Sequence, residues 1–292
     1  MELLAQLVLN GIWSGSIYAL LGVSWALIFA ATRTFHFAHG ATFVIVAYIT
    51  WLTYETGVGL IIASCAGILA GILFGVIIEG VLYRGLRKAG ATPLVIFIAA
   101  LGSLIFVENL IGMVFGSDAK PLNGFPISFI RIGKTGFTSL DLVMVISAIV
   151  FIGGLNWFLM KTRSGKAIRA VISNPEMAEV IGININKVFI RVHVVSAILV
   201  GIAAILVGLE RGMTPELGTW AILYAFIPVI IGGVGSITGA AVAGYIIGLA
   251  ESIGIWKIAS QWQLGIAFVV LLFVLLIRPN GLFGYSVYKG KI

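Results

Sequence analysis

The chain has 292 residues, 60% hydrophobic and 10% charged, with a formal net charge of +7 and a mean hydropathy of +1.14. Soluble domains carry about 25% charged residues, so this chain lacks the polar groups to cover a water-facing surface. That excludes a soluble globular protein and, with it, nucleic acid as the partner of the positive charge. The excess Lys and Arg belong instead to the loops of a membrane protein.

Eight stretches contain no Asp, Glu, Lys or Arg: 3–32, 34–54, 56–78, 89–107, 142–160, 192–209, 217–250 and 258–277. A helix needs roughly 20 apolar residues to cross a hydrocarbon core about 30 Å thick. Each stretch is long enough or nearly so, and 217–250 can hold two spans. A single span must satisfy its own backbone hydrogen bonds, which makes it a helix. The alternating segments of about ten residues that build a β-barrel are absent. In chain order the expected crossings are about 4–31, 37–54, 58–82, 93–115, 140–160, 191–209, 219–232, 237–255 and 258–277. The fold class is an all-α integral membrane bundle of about eight to ten helices, read as one transmembrane domain over residues 1–292. The N-terminus lacks the basic region and small-residue site of a cleaved signal, so its first span is expected to be retained. No convincing internal repeat is present.

The loops set an orientation. Arg33 follows the first span, and Arg84, Arg87 and Lys88 form a second basic loop. Lys161, Arg163, Lys166, Arg169, Lys187 and Arg191 form a third, and Arg278, Lys289 and Lys291 follow the last span. The positive-inside rule puts these in the cytoplasm, with the N-terminus outside and the C-terminus inside. Lys120, Arg131, Lys134, Arg211 and Lys257 then lie outside. The external loop 116–139 contains Pro121, Pro126 and several glycines, with a short strand expected in 127–132. It is either a passive connector or a surface for a partner on that side.

The cytoplasmic loop 161–190 holds a self-contained helix signal. Asn174 is a good N-cap, Pro175 suits the first helical position, and Glu176 and Glu179 suit the positive end of the helix dipole. Met177, Val180 and Ile181 fall at i, i+3 and i+4 and form one apolar stripe. Gly182 is placed to end the helix in a left-handed conformation. The stripe either packs on the protein's own spans or the lipid interface, or inserts into a partner's groove.

Glu176-x-Ala178-x-x-x-Gly182 resembles the E-A-A-x-x-x-G loop of bacterial ABC importer permeases, with Met177 in place of the middle alanine. Phe37-Ala38-His39-Gly40 resembles the N-F-A-H-G segment of the branched-chain amino-acid permeases (Liv-type systems), with His36 where that family usually has Asn. Gly232-Gly233-Val234-Gly235-Ser236-Ile237-Thr238-Gly239-Ala240 resembles the family's G-G-x-G-S-x-x-G-A segment. Arg278-Pro279-Asn280-Gly281-Leu282-Phe283-Gly284 resembles its R-P-x-G-L-F-G ending. Order and spacing match over essentially the whole chain.

The resemblance implies a multi-pass permease subunit in a bacterial cytoplasmic (inner) membrane that imports leucine, isoleucine or valine by alternating access. It implies that Asn174, Pro175, Glu176, Met177, Ala178, Glu179, Ile181 and Gly182 form a coupling helix that docks on an ATP-binding subunit. The implied partners are a second, non-identical permease, two ATP-binding subunits, an external substrate-binding protein and membrane lipid. ATP and Mg belong to the partner subunits, and this chain is expected to bind no cofactor and no metal. Urea, short amides and other amino acids are alternative cargoes.

Two glycine-rich polar interruptions of the spans mark candidate pathway or gate residues: His36, Phe37, His39 and Gly40, then Gly232, Gly233, Gly235, Ser236 and Gly239. Irregular backbone at membrane depth is tolerated against protein or a water-lined cavity. The competing reading is close helix packing through small residues, including Gly244 and Gly248 at GxxxG spacing. Glu79, Glu108 and Glu251 lie near span ends and are read as structural, paired or snorkelling carboxylates. Cys65 sits in an apolar run and is read as a small packing residue.

Composition alone admits two further functions. An ion-coupled secondary transporter predicts mid-span charges, and few are present. A membrane metalloenzyme would use His36, His39 and His193, yet there is no H-E-x-x-H motif. There is no G-x-x-x-x-G-K-[ST] phosphate loop either; Ser164-Gly165-Lys166 is only a fragment. No enzymatic role is expected of this chain.

Overall fold

The computed structural model describes residues 2–132 and 135–284. Lys134, Lys289 and Lys291, used above for orientation, lie outside them.

Helices dominate. The chain forms α1 (Glu2–Thr32), α2 (Ala38–Glu55) and α3 (Leu60–Ile77), which runs through a π-helical turn (Ile78–Tyr83) into α4 (Arg84–Lys88). Next comes α5 (Pro93–Phe115), with proline at its first position, where the missing N–H is no loss. Strands β1 (Phe129–Ile132) and β2 (Thr135–Thr138) pair antiparallel. Then follow α6 (Ser139–Lys161), α7 (Arg163–Ser173), α8 (Pro175–Val180), α9 (Ile185–Arg211), α10 (Leu217–Gly232), α11 (Ile237–Gly254) and α12 (Gln263–Ile277). Each of the nine expected crossings falls on one of these helices. Among the described residues seven helices are long and apolar enough to cross a membrane, and α10, with Pro228 inside it, is a shorter apolar helix. The short strand expected in 127–132 is β1.

The chain divides into two compact units. The first comprises Met1–Ala26, Ile127–Ile149 and Leu223–Ile292. Here α1 packs on α11 with almost no side chain between them. A Cβ on Gly244 would strike the backbone of Ala19, and one on Gly11 would lie 2.8 Å from Leu249 Cα. Such close approach gives dispersion contacts in lipid, where burial of apolar surface supplies no drive. Tyr18 donates a 2.8 Å hydrogen bond to buried Glu251 and stacks on Tyr224 at 4.2 Å. The β-hairpin is tied to α1 by the Gln6 amide, which donates to Gly136 O (2.9 Å) and accepts from Gly136 N (3.0 Å). A reciprocal cap between Thr138 and Asp141 starts α6: Asp141 accepts from Thr138 N at 2.7 Å, and Thr138 Oγ1 accepts from Asp141 N at 3.2 Å.

The second unit comprises Leu27–Pro126 and Val150–Ile222. Its centre is α2, buried along most of its length against α3, α5 and α9. Gly67 and Gly71 let α3 approach α2 at Thr50 and Val46. Large apolar side chains on the opposite faces, Ile61, Leu69, Val81 and Met113 among them, are exposed, as a lipid-facing surface requires. Cys65 is exposed on α3 as well. This corrects the expectation that it packs: the small residues that bring α3 onto α2 are the glycines, and Cys65 lies off that face.

Candidate functional site

In the second unit the break between α1 and α2 places two imidazoles in the protein interior. Arg33 adopts a left-handed φ of +55°, its N–H bonded to Phe29 O at 2.9 Å, and closes α1. The chain then turns at His36–Phe37 and re-enters a helix at Ala38. His36 and His39 are both buried. Gly40 is needed because α2 crosses α10 there: a Cβ would run into Gly218 O. Phe37 packs edge-on against Phe97 of α5 at 5.0 Å.

His36 does not sit alone. Its Nδ1 shares a 2.7 Å hydrogen bond with the hydroxyl of Tyr83, which the π-helical turn presents. Its ring stands 5.0 Å from that of His193 on α9 and 5.8 Å from that of His39. His193 Nδ1 donates to Phe189 O at 2.9 Å, which fixes the proton on that nitrogen and leaves Nε2 as an acceptor. Nε2 is buried and has no hydrogen-bond partner among the described residues. Glu79, on the same π turn as Tyr83 and buried, forms an ion pair with Arg87 and lies 3.8 Å from His193 Nδ1. Arg87 in turn lies over the Phe189 ring at 4.9 Å. A line of polar groups thus runs from the basic α4 segment through Glu79 to the imidazoles. Among the described residues no group of three or more His, Cys, Asp or Glu is arranged to hold a metal ion.

The sequence marks His36 and His39 as pathway candidates, joins His193 to them only as a possible third metal ligand, and offers Glu79 separately as a span-end carboxylate. It misses Tyr83 and Arg87. The available signal was their spacing: Glu79, Tyr83 and Arg87 follow one another every four residues, the repeat of one helix face.

The second group of candidates lies in the first unit, between α10 and α11. Gly233 (φ +101°) and Gly235 (φ +93°) make the left-handed turn, and the Ser236 hydroxyl accepts from Gly239 N at 3.0 Å to cap α11. Gly232 and Gly239 face each other so closely that a Cβ on either would overlap the other's backbone. The Arg278–Gly284 ending docks on this turn. Leu282 N and Phe283 N donate to Ile231 O (2.8 Å) and Gly232 O (2.9 Å), and Gly281 and Gly284 approach Gly233. Two motifs about 40 residues apart therefore form one backbone-to-backbone structure, a relationship the sequence did not suggest.

The third group is α8. The Asn174 side chain accepts from Met177 N at 3.0 Å, Pro175 occupies the first helical position, and Glu176 lies in the first turn. Gly182 (φ +88°) donates to Glu179 O while Ile183 N donates to Ala178 O, both at 2.9 Å, which closes the helix. Ala178 is buried, whereas Met177, Val180 and Ile181 are 59%, 79% and 71% exposed. The helix is anchored by its alanine and presents the whole apolar stripe outward.

Residues 7–275 match the protein family described as "Branched-chain amino acid transport system / permease component". The chain is 32% identical to the high-affinity branched-chain amino acid transport system permease protein BraD of Pseudomonas aeruginosa, over 96% of this chain and 95% of that protein. It is 29% identical to the permease protein LivH of Escherichia coli, over 96% and 95% of the two chains. It is also 28% identical, over 98% and 95%, to a probable branched-chain amino acid transport permease of Methanocaldococcus jannaschii. Its fold is similar to that of a solved structure of "PsaBC from Streptococcus pneumoniae in complex with Fab", with a TM-score of 0.56, 14% identity, and 96% and 93% of the chains covered.

Proposed function

The chain belongs to the permease family of branched-chain amino acid transport systems, and from that premise we propose that it carries leucine, isoleucine or valine into the cytoplasm as one membrane subunit of an ATP-driven importer. Its N-terminus lies outside and its C-terminus inside, as the basic loops at Arg84–Lys88 and Lys161–Arg191 favour. The membrane is the cytoplasmic membrane. The partners are a second permease of related sequence, two ATP-binding subunits that hold ATP and Mg, and an external binding protein that delivers the cargo.

The observation that carries this reading is the outward apolar stripe of α8. A capped helix with Met177, Val180 and Ile181 in solvent is built for a groove on another chain, because leaving three such side chains exposed stabilises nothing by itself. ATP binding closes the partner subunits, α8 moves with the groove that holds it, and the spans switch between inward- and outward-facing states. His36, Phe37, His39 and Gly40 at one helix break, and Gly232, Gly233, Gly235, Ser236 and Gly239 at the other, are assigned to the pathway or its gates. A branched-chain amino acid moved by ATP needs no buried proton relay. Fixed acceptors such as His193 Nε2 serve the polar end of an amino acid.

The test is ATPase stimulation in reconstituted membranes holding this chain, its partner permease and the ATP-binding subunits, with and without binding protein and leucine. Leucine-dependent stimulation is expected, and it should vanish in Glu176→Lys/Gly182→Asp while the spans still insert. Failure to associate with any ATP-binding subunit would overturn the importer reading in favour of a secondary transporter. Association without a leucine response would keep the importer and point to urea or short amides.

A further inference from the structure

The loop between α6 and α9 contains two short helices that use their faces in opposite ways. In α8 the apolar stripe is exposed. In α7 it is consumed: Gly165, Ile168 and Val171, at i, i+3 and i+6, are buried, with Gly165 pressed onto the backbone of Phe158 and Leu159 at the end of α6. The remaining face of α7 carries Arg163, Lys166 and Arg169, also at i, i+3 and i+6, and all three are exposed. Lys161, the last residue of α6, adds a fourth exposed cation. Arg33 adds a fifth at the far end, where its guanidinium donates to Ile172 O at 3.4 Å. No Asp or Glu occurs between Lys161 and Ser173. Among the described residues, the side chains of Lys161, Arg163, Lys166 and Arg169 have no ion-pair or hydrogen-bond partner.

The position of this stripe says what it meets. The last turns of α6 expose Val150, Trp157 and Met160, a face apolar enough to meet lipid. Trp157 and Lys161 are four residues apart and so lie on one side of the helix. The exposed apolar surface therefore passes through a tryptophan directly into the row of cations, which is the order of groups found where a span leaves the hydrocarbon and enters the headgroups. From Arg163 to Arg169 the row extends about 9 Å along the helix.

We infer that the Lys161–Arg163–Lys166–Arg169 stripe, extended by Arg33, is a binding surface for the phosphate headgroups of anionic phospholipids. A protein partner fits it less well. Protein interfaces are centred on apolar and aromatic anchors and are poor in lysine, and α7 exposes no large apolar side chain, leaving only Ala167, Ala170 and Ile172 half-buried. The neighbouring α8, with its exposed stripe, has that protein-docking character instead. Lys and Arg reach headgroup phosphates while their stems cover the apolar surface beneath. The two helices divide one loop between lipid and protein.

The test compares spin-labelled phosphatidylglycerol with spin-labelled phosphatidylcholine around the full-length chain in phosphatidylcholine bilayers. The wild type is expected to select phosphatidylglycerol, with selectivity falling as salt is raised. Arg163→Gln/Lys166→Gln/Arg169→Gln should lower the selectivity of the sites it removes by tenfold or more. Arg163→Lys/Arg169→Lys, which keeps the charge, should retain it, as should Lys257→Gln at a different loop. Equal association of both lipids with the wild type would overturn the inference. So would full selectivity in the triple glutamine variant, or loss of selectivity in the lysine variant. If the triple variant keeps its lipid selectivity but loses the ATP-binding subunits, the stripe is a protein-docking surface and the inference fails. Lipid selection is read on this chain alone, so its failure is distinguishable from failure of the importer reading.

Discussion

The carboxylate of Glu108, on α5, caps the first turn of α10 through Thr219, accepting from its backbone N–H at 2.6 Å and from its hydroxyl at 2.9 Å. The first turn of a helix leaves N–H groups without intrahelical partners and carries partial positive charge. An acid delivered by a neighbouring helix answers both needs. Gly218 makes room for it, since a Cβ there would lie 2.8 Å from Glu108 Oε1. Glu108→Ala is therefore expected to destabilise the protein by about 1–2 kcal/mol. Glu108→Gln, which can still accept, should lose less. Thermal unfolding in detergent measures both, and an unchanged midpoint in the alanine variant would refute the cap.

Arg87 and Glu79 are unequal partners, because Glu79 is fully buried while Arg87 keeps about a quarter of its side chain in contact with the surroundings. Removing only the arginine strands a carboxylate in the interior. Arg87→Ala is expected to cost about 3–5 kcal/mol, and Glu79→Leu/Arg87→Leu less than that single change. Unfolding of the three proteins side by side checks the order. A double variant worse than Arg87→Ala would contradict it.

Tyr83→Phe removes one hydroxyl and takes the 2.7 Å partner from His36. A stability loss of about 1–3 kcal/mol is expected. Leucine-stimulated ATPase activity should fall further than stability accounts for, since the same hydroxyl orients the imidazole assigned to the pathway. Equal activity per folded molecule would leave Tyr83 a purely structural residue.

Met177→Glu and Val180→Glu place charge on side chains that are already exposed. Neither should move the unfolding midpoint by more than about 0.5 kcal/mol of stability. Both should lower co-purification with the ATP-binding subunits. A large loss of stability with full association would mean that the stripe packs within this chain.

Gly239→Val should be the most damaging single change near the α10–α11 turn, because its side chain would be forced into the backbone of Gly232. Overpacking of this kind typically costs about 1–3 kcal/mol, and backbone here cannot yield as a flexible side chain would. Yield of folded protein in the membrane is the readout, with Val242→Ala on the outward side of α11 as the tolerated comparison.

Much of this architecture was legible in the residues. Charge-free runs located the spans, because hydrocarbon forbids unpaired backbone and charge alike. Asn174, Pro175 and Gly182 located α8, because caps act within a few residues and need no tertiary information. What could not be read was everything that depends on which helices meet. Nothing in Gly232–Gly239 says that Arg278–Gly284 will lie on it. The spacing of Glu79, Tyr83 and Arg87 marks one face, but nothing in His36 says that Tyr83 will answer it, because the two residues are 47 apart in sequence and meet only through tertiary packing. Cys65 was misjudged for the same reason: an apolar run identifies a span but not which of its sides touches lipid.

That last placement bears on how the protein can be studied. Cys65 is the single cysteine of the chain and faces outward from α3 among apolar neighbours. Hydrocarbon around such a face keeps water-soluble reagents away from it. The native protein is thus expected to behave toward water-soluble maleimides as if it had no thiol. A cysteine placed at Met177 or Lys166 could be labelled selectively without first rebuilding α3, giving a spectroscopic reporter on either face of the loop in a chain otherwise native.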